Sequence, residues 1–179
     1  MALSYPATRP ETMTIDFDFL VRILLIGAGA TLVMDAWALF IKRCFNIPGL
    51  NYAMVGRWIG HLPRGRFIHP NIGKAEPVAA EAAIGWIAHY AIGVVFAALL
   101  LRIAGPQWAQ HPTFLPALLV GIGTVAAPFF ILQPGMGAGI AASRTPNPPV
   151  ARLRSLMAHA SFGVGLYLAG LACRAALAS

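Results

Sequence analysis

Three ionisable side chains in this sequence fall inside long apolar runs and away from their ends: Asp35, His89 and His159. An ionisable group among lipid tails is costly unless it is paired or wetted, so each of the three needs a partner or a task. Asp35 is too short to reach the interface, and at about 1.5 Å per residue it lies roughly 9 Å inside the nearer end of its run. The same rise puts His89 roughly 15 Å deep and His159 roughly 6–9 Å deep. Glu81 lies on one helical face with Gly85 and His89, at i, i+4 and i+8. At the start of its run it can also cap the helix. Pro128 cannot bond back to the carbonyl of Thr124, which frees an acceptor at a similar level.

This set admits three chemistries. Paired histidines His89 and His159 could ligate a metal ion or a haem, with Asp35 holding a ring N–H. Gly93 and Gly163, one turn beyond each histidine, would leave a flat surface for a porphyrin. Asp35 and the histidines could instead relay protons or ions. The third possibility is no chemistry, only a buried Asp–His bond that fixes helix packing beside small residues. Nucleophilic catalysis has no support, because Ser143, Ser155 and Ser161 lack a G-x-S-x-G setting and no carboxylates are suitably paired. Whether the chain is an enzyme is left open, with the reading leaning against it, and its cofactor, if any, is open between haem and a metal ion.

The elements that must position these groups are set by composition. Of 179 residues, 58% are hydrophobic and only 11% charged, with a mean hydropathy of +0.70. A soluble domain carries about 25% charged residues, so a cytosolic enzyme, a disordered tail and a coiled coil are all excluded. The sequence reads as one all-α domain over residues 1–179. Four runs are long enough to cross about 30 Å of hydrocarbon: roughly 19–41, 79–103, 114–132 and 153–176, with long loops at 42–78 and 133–152. The net charge of +7 would suggest nucleic acid in a soluble protein. Here it is charge sorted across a bilayer. The two long loops carry Lys42, Arg43, Arg57, Arg64, Arg66, Lys74, Arg144, Arg152 and Arg154, and the other side carries Arg9, Arg22, Arg102 and Arg174. By the positive-inside rule the long loops are cytoplasmic and both termini periplasmic. Glu11, Asp16 and Asp18 before the first run, with Lys42 and Arg43 after it, oppose a cleaved signal peptide.

The four spans form two hairpins that run the same way. Spans two and four share A-H-x-x-x-G-V, at Ala88–Val94 and Ala158–Val164, and the helices before them share Gly27-x-Gly29 and Gly121-x-Gly123. This pattern points to a parallel repeat. Between spans one and two, Tyr52, Val55, Ile59 and Leu62 fall on one helical face and Arg57, His61 and Arg64 on another. That is the signature of a short interfacial cytoplasmic helix, with Arg57, His61 and Arg64 meeting anionic headgroups or an anionic ligand. Arg144 is a further anion contact, beside the glycines of Gly137-x-Gly139-x-x-Ala142. Those glycines formally match a dinucleotide fingerprint, but no strand precedes them, and a turn with positive φ is the better reading. Cys44 and Cys173 have no zinc-site spacing.

Several runs resemble a known family: MDAW at Met34–Trp37, NYAMVGRWIGHLPRGRF from Asn51, GWIAHY at Gly85–Tyr90, and QPGMGAGIAASRTPNP from Gln133. They are similar to a bacterial membrane family catalogued as domain of unknown function 2938, from about Thr31 into span four. The resemblance implies a small four-helix inner-membrane protein and carries no activity with it. Four helices make a small bundle, so the expected partners are the lipid bilayer and either a second copy or a larger membrane complex, in which the chain could serve as a structural or assembly subunit. The orientation is testable by fusion. Alkaline phosphatase at the C-terminus should be active and a fusion at Arg66 silent; the reverse pattern would invert the topology.

Overall fold

The computed structural model describes residues 17–177, so Arg9, Glu11 and Asp16 lie outside the described residues. Five helices carry the fold: α1 (Phe17–Phe45), the short α2 (Tyr52–His61), α3 (Glu81–Ala104), α4 (Phe114–Met136) and α5 (Pro148–Ala176). All but α2 are long and apolar enough to cross a membrane.

Local chemistry sets the ends, which differ from the sequence estimate by a few residues. α1 overruns its apolar core in both directions, with Asp18 in its first turn and Lys42 and Arg43 in its last, the charge order that suits the helix dipole. α3 starts at Glu81 and not at Ala79, because Ala80 takes a left-handed φ of 57° that no helix can contain. α5 starts earlier than its apolar run. Pro148 occupies its first turn, and the Asn147 side chain accepts the Val150 N–H at 3.3 Å. α4 is irregular at Pro128, where it widens to a π-turn over Pro128–Leu132 and then resumes as Gln133–Met136. The Thr124 carbonyl is not the free acceptor expected from Pro128: the chain tightens locally, and the Ala127 N–H donates to it at 3.0 Å.

α1 packs against both α3 and α5, α5 packs against α4, and α3 barely meets α4. Neighbours are antiparallel. Gly27 meets Gly93 and Val94 where Asp35 meets His89, and Gly121 meets Gly163 where Thr124 meets His159. In the α1–α5 pair, Gly29 meets Ala169 while Gly165 meets Ala30 and Val33. A methyl group at any of these glycines would overlap the facing helix, so small residues set the helix separation. The core between the helices is Ile26, Ala30, Ala97, Leu100, Leu101, Phe162 and Leu166. Leu24, Ile87, Val95 and Leu119 point outward and exposed, leaving an apolar outer surface that lipid would cover.

α2 begins at Asn51, whose side chain accepts the Ala53 N–H at 3.0 Å. It lies directly on the first turns of α3, backbone against backbone: Gly56 abuts the Glu81 carbonyl and Gly85 abuts the Tyr52 carbonyl. Gly56→Ala should therefore force α2 off α3 and lower stability by about 1–3 kcal/mol. Gly123, with nothing within 4 Å of an added methyl, should tolerate alanine. Unfolding of both variants in detergent micelles decides this; equal stability would show that α2 docks by other contacts.

Candidate functional site

Asp35 on α1 and His89 on α3 are brought together as expected. His89 Nε2 lies 2.9 Å from Asp35 Oδ1, and the Tyr90 hydroxyl donates to Asp35 Oδ2 at 3.0 Å. Each carboxylate oxygen thus holds a donor from successive residues of α3. The close approach of α1 and α3 at Gly27 and Gly93, two turns deeper on α1, makes these short bonds possible.

Tyr52 completes the group and was not foreseen. It is the first residue of α2, and its hydroxyl lies 3.0 Å from the same His89 Nε2. Its ring stacks against Trp86 and His89 at centroid distances of 4.4 and 4.3 Å. Burial first, and the Asp35 charge second, push the Tyr52 phenol well above its ordinary pKa, so the hydroxyl keeps its proton. A signal was present in the sequence, since α2 begins with an aromatic residue, but nothing local ties position 52 to position 89.

A single ring nitrogen therefore faces a carboxylate and a phenol. When Nε2 carries a proton it donates to Asp35; when it does not, it accepts from the Tyr52 hydroxyl. The chain Tyr90–Asp35–His89–Tyr52 supports two protonation patterns with little movement of heavy atoms.

His159 on α5 has a different partner. Its Nδ1 lies 2.8 Å from the Thr124 hydroxyl, which donates its own proton to the Gly121 carbonyl at 2.6 Å. Nδ1 must then be the donor, which leaves the lone pair on Nε2. No hydrogen bond or ring contact joins His159 to His89 or Asp35 among the described residues. No group of three or more His, Cys, Asp or Glu side chains is arranged to hold a metal ion among them either. A groove of about 420 Å³ opens between α3 and α4, lined by Phe96, Leu99, Leu119 and Val120, with Thr124 as a polar wall.

Glu81 does not join Asp35. It does not cap an N–H of α3: it accepts the Val78 N–H of the preceding loop at 3.2 Å and pairs with Arg57. Arg57 makes a two-pronged contact, Nε to Oε2 and Nη2 to Oε1, both at 2.8 Å, and turns Nη1 to the carbonyls of Ala75 at 3.1 Å and Gly73 at 3.4 Å. The hydrogen bonds to Glu81 raise the guanidinium pKa further. His61 is fully buried and holds the Glu76 carbonyl at 2.9 Å. Arg57 and His61 thus face inward, where their donors are spent on the chain itself and cannot meet headgroups. Arg64 and Arg144 remain outward and exposed. Gly137 and Gly139 have φ of 95° and 75°, the turn conformation expected of them.

No curated protein and no solved structure matches the chain. One family model does, the family described as Protein of unknown function (DUF2938), and the match runs over residues 24–173. That stretch contains α2, α3 and α4 whole together with Asp35, His89 and His159, so the chain belongs to DUF2938, a family in which four helices are here apolar enough for a multi-pass membrane protein.

Proposed function

We propose that the chain is an inner-membrane protein that holds and passes a proton at the Asp35–His89 pair, with Tyr90 and Tyr52 extending the path. The observation that carries this reading is the shared position of His89 Nε2, 2.9 Å from a carboxylate and 3.0 Å from a phenol. Ionisable groups inside spans serve proton relays in pumps and transporters, and histidine titrates in the useful range. Tyr52 lies on α2, outside the four apolar helices, so the path leads out of the membrane-crossing region. The expected cytoplasmic loops would put that exit at the inner leaflet, with both termini periplasmic. α2 would then lie near the interface and leave Arg64 and Arg144 for anionic headgroups or an anionic ligand.

The metal or haem reading at His89 and His159 has less support, because no hydrogen bond or ring contact among the described residues joins the two imidazoles: His89 meets Asp35 and Tyr52, and His159 meets Thr124. The structural reading has one observation in its favour: both Asp35 oxygens are satisfied, as in a packing lock. On that reading the chain is a non-catalytic subunit, docked to a second copy or to a larger complex. The repeated hairpin suits either case. In each helix pair a glycine one turn past the histidine meets a glycine of the partner helix, and a threonine bonds back to the latter glycine's carbonyl.

Proteoliposomes loaded with a pH-sensitive dye and given an inside-negative potential separate the readings. Wild type should take up protons faster than protein-free vesicles, and Asp35→Asn should fall to the protein-free rate while still folded. A wild type no leakier than empty vesicles, together with a mild stability loss in Asp35→Asn, would leave the packing lock, since an amide still hydrogen-bonds.

A further inference from the structure

Four buried side-chain atoms lack a hydrogen-bond partner among the described residues, and three of them belong to two neighbouring rings, His61 and His69. We infer that this pair is a binding site for a transition-metal ion of the zinc class, outside the membrane-crossing helices and separate from the Asp35–His89 pair.

The tautomer of His61 is fixed by its neighbour. A carbonyl only accepts, so Nε2 carries the proton that bonds to Glu76 at 2.9 Å. Nδ1 is then a bare lone pair, in a residue with no exposed surface. This is how metal-binding imidazoles are usually prepared: one ring nitrogen held by a backbone carbonyl, the other free. His69 is 7% exposed, and neither of its ring nitrogens has a partner. The two ring centres are 5.0 Å apart, with planes at 61°. A zinc–nitrogen bond of about 2.0–2.1 Å puts each ring centre roughly 3.2 Å from the ion, so two imidazoles at the tetrahedral angle have centres about 5.2 Å apart. A linear arrangement would need about 6.4 Å by the same bond length. The observed separation fits the bent geometry.

The pair is also held in place. The His69 N–H donates to the Gly135 carbonyl at 2.8 Å, and the Trp58 N–H donates to the Phe67 carbonyl at 2.9 Å. Arg57 and His61 hold the carbonyls on the far side of the loop. His69 therefore sits on a segment fixed at both ends against the helix that carries His61. Two imidazoles fill two positions of a four-coordinate ion, and water admitted with the ion would fill the other two.

The test uses the purified full-length protein in detergent, stripped with a chelator and titrated with Zn²⁺, with Co²⁺ as an optical stand-in. Wild type should bind one Zn²⁺ per chain, give tetrahedral Co²⁺ bands and unfold at a higher temperature with Zn²⁺ present. His69→Phe keeps a ring against His61 and breaks no side-chain hydrogen bond, yet it should lose all three effects. His89→Ala and His159→Ala should bind Zn²⁺ as wild type does, whatever they do to proton uptake. X-ray absorption on the Zn²⁺-loaded wild type should show two imidazoles, a readout that needs no variant to fold. A wild type that binds no Zn²⁺, or binding and stabilisation undiminished in His69→Phe, would overturn the site and leave the three nitrogens to water or a proton.

Discussion

The arrangement depends on one guanidinium. Arg57 grips Glu81 with two parallel hydrogen bonds and reaches the carbonyls of Gly73 and Ala75 with its remaining nitrogen. It thereby joins three parts of the chain that share no regular structure: α2, the irregular loop after it, and the first turn of α3. Only arginine offers donors in a planar fork that can meet a carboxylate and, on its other edge, backbone oxygens. Its neighbours on α2 repeat the pattern, Trp58 donating to the Phe67 carbonyl and His61 to that of Glu76. A loop whose only regular pieces are the 3-10 turns Leu62–Arg64 and Ile72–Lys74 must place its carbonyls somewhere, and here side chains from a single ten-residue helix donate to several of them.

The seating of α2 has a consequence inside the membrane-crossing region. Because Gly56 and Gly85 let the two backbones touch, Tyr52 comes level with His89 and closes the polar chain that starts at Tyr90 and Asp35. Larger residues at either position would separate α2 from α3 by a side-chain width, beyond hydrogen-bonding reach. The seating of α2 on α3 and the bond between Tyr52 and His89 are therefore one piece of geometry.

What was legible in the sequence follows from how each contact is encoded. Four spans were readable because length and hydropathy are local properties, and the turn at Gly137 and Gly139 because a left-handed backbone favours one residue type. Asp35 and His89 stood out by cost alone, and two costly groups on adjacent helices are each other's cheapest solution. Helical periodicity placed Arg57 and His61 correctly on one face of α2 but could not say what that face meets. The partner is an irregular loop and the start of α3, joined by non-local contacts, so a face that reads as solvent-facing is buried. Pro128 drew attention to Thr124, yet the backbone adjusted around the proline, and it is the Thr124 hydroxyl, not its carbonyl, that holds His159. His69 lies in a stretch with no periodicity at all, and only the fold reveals its ring against His61.

The two helix pairs also weigh the histidines differently. Both place a glycine one turn after the histidine against a glycine of the facing helix, Gly93 with Gly27 and Gly163 with Gly121. Counting eight residues from the facing glycine reaches Asp35 in the first pair and Phe129 in the second. His89 consequently meets a carboxylate and a phenol, while His159 meets a threonine hydroxyl that already has a carbonyl to bond. Both histidines satisfy one polar partner on the neighbouring helix, so packing alone accounts for what the two pairs share. Asp35 is confined to one pair, where its two oxygens meet His89 and Tyr90. A carboxylate that meets an imidazole and a phenol is the feature that distinguishes the first pair, so the two histidines are not a matched set.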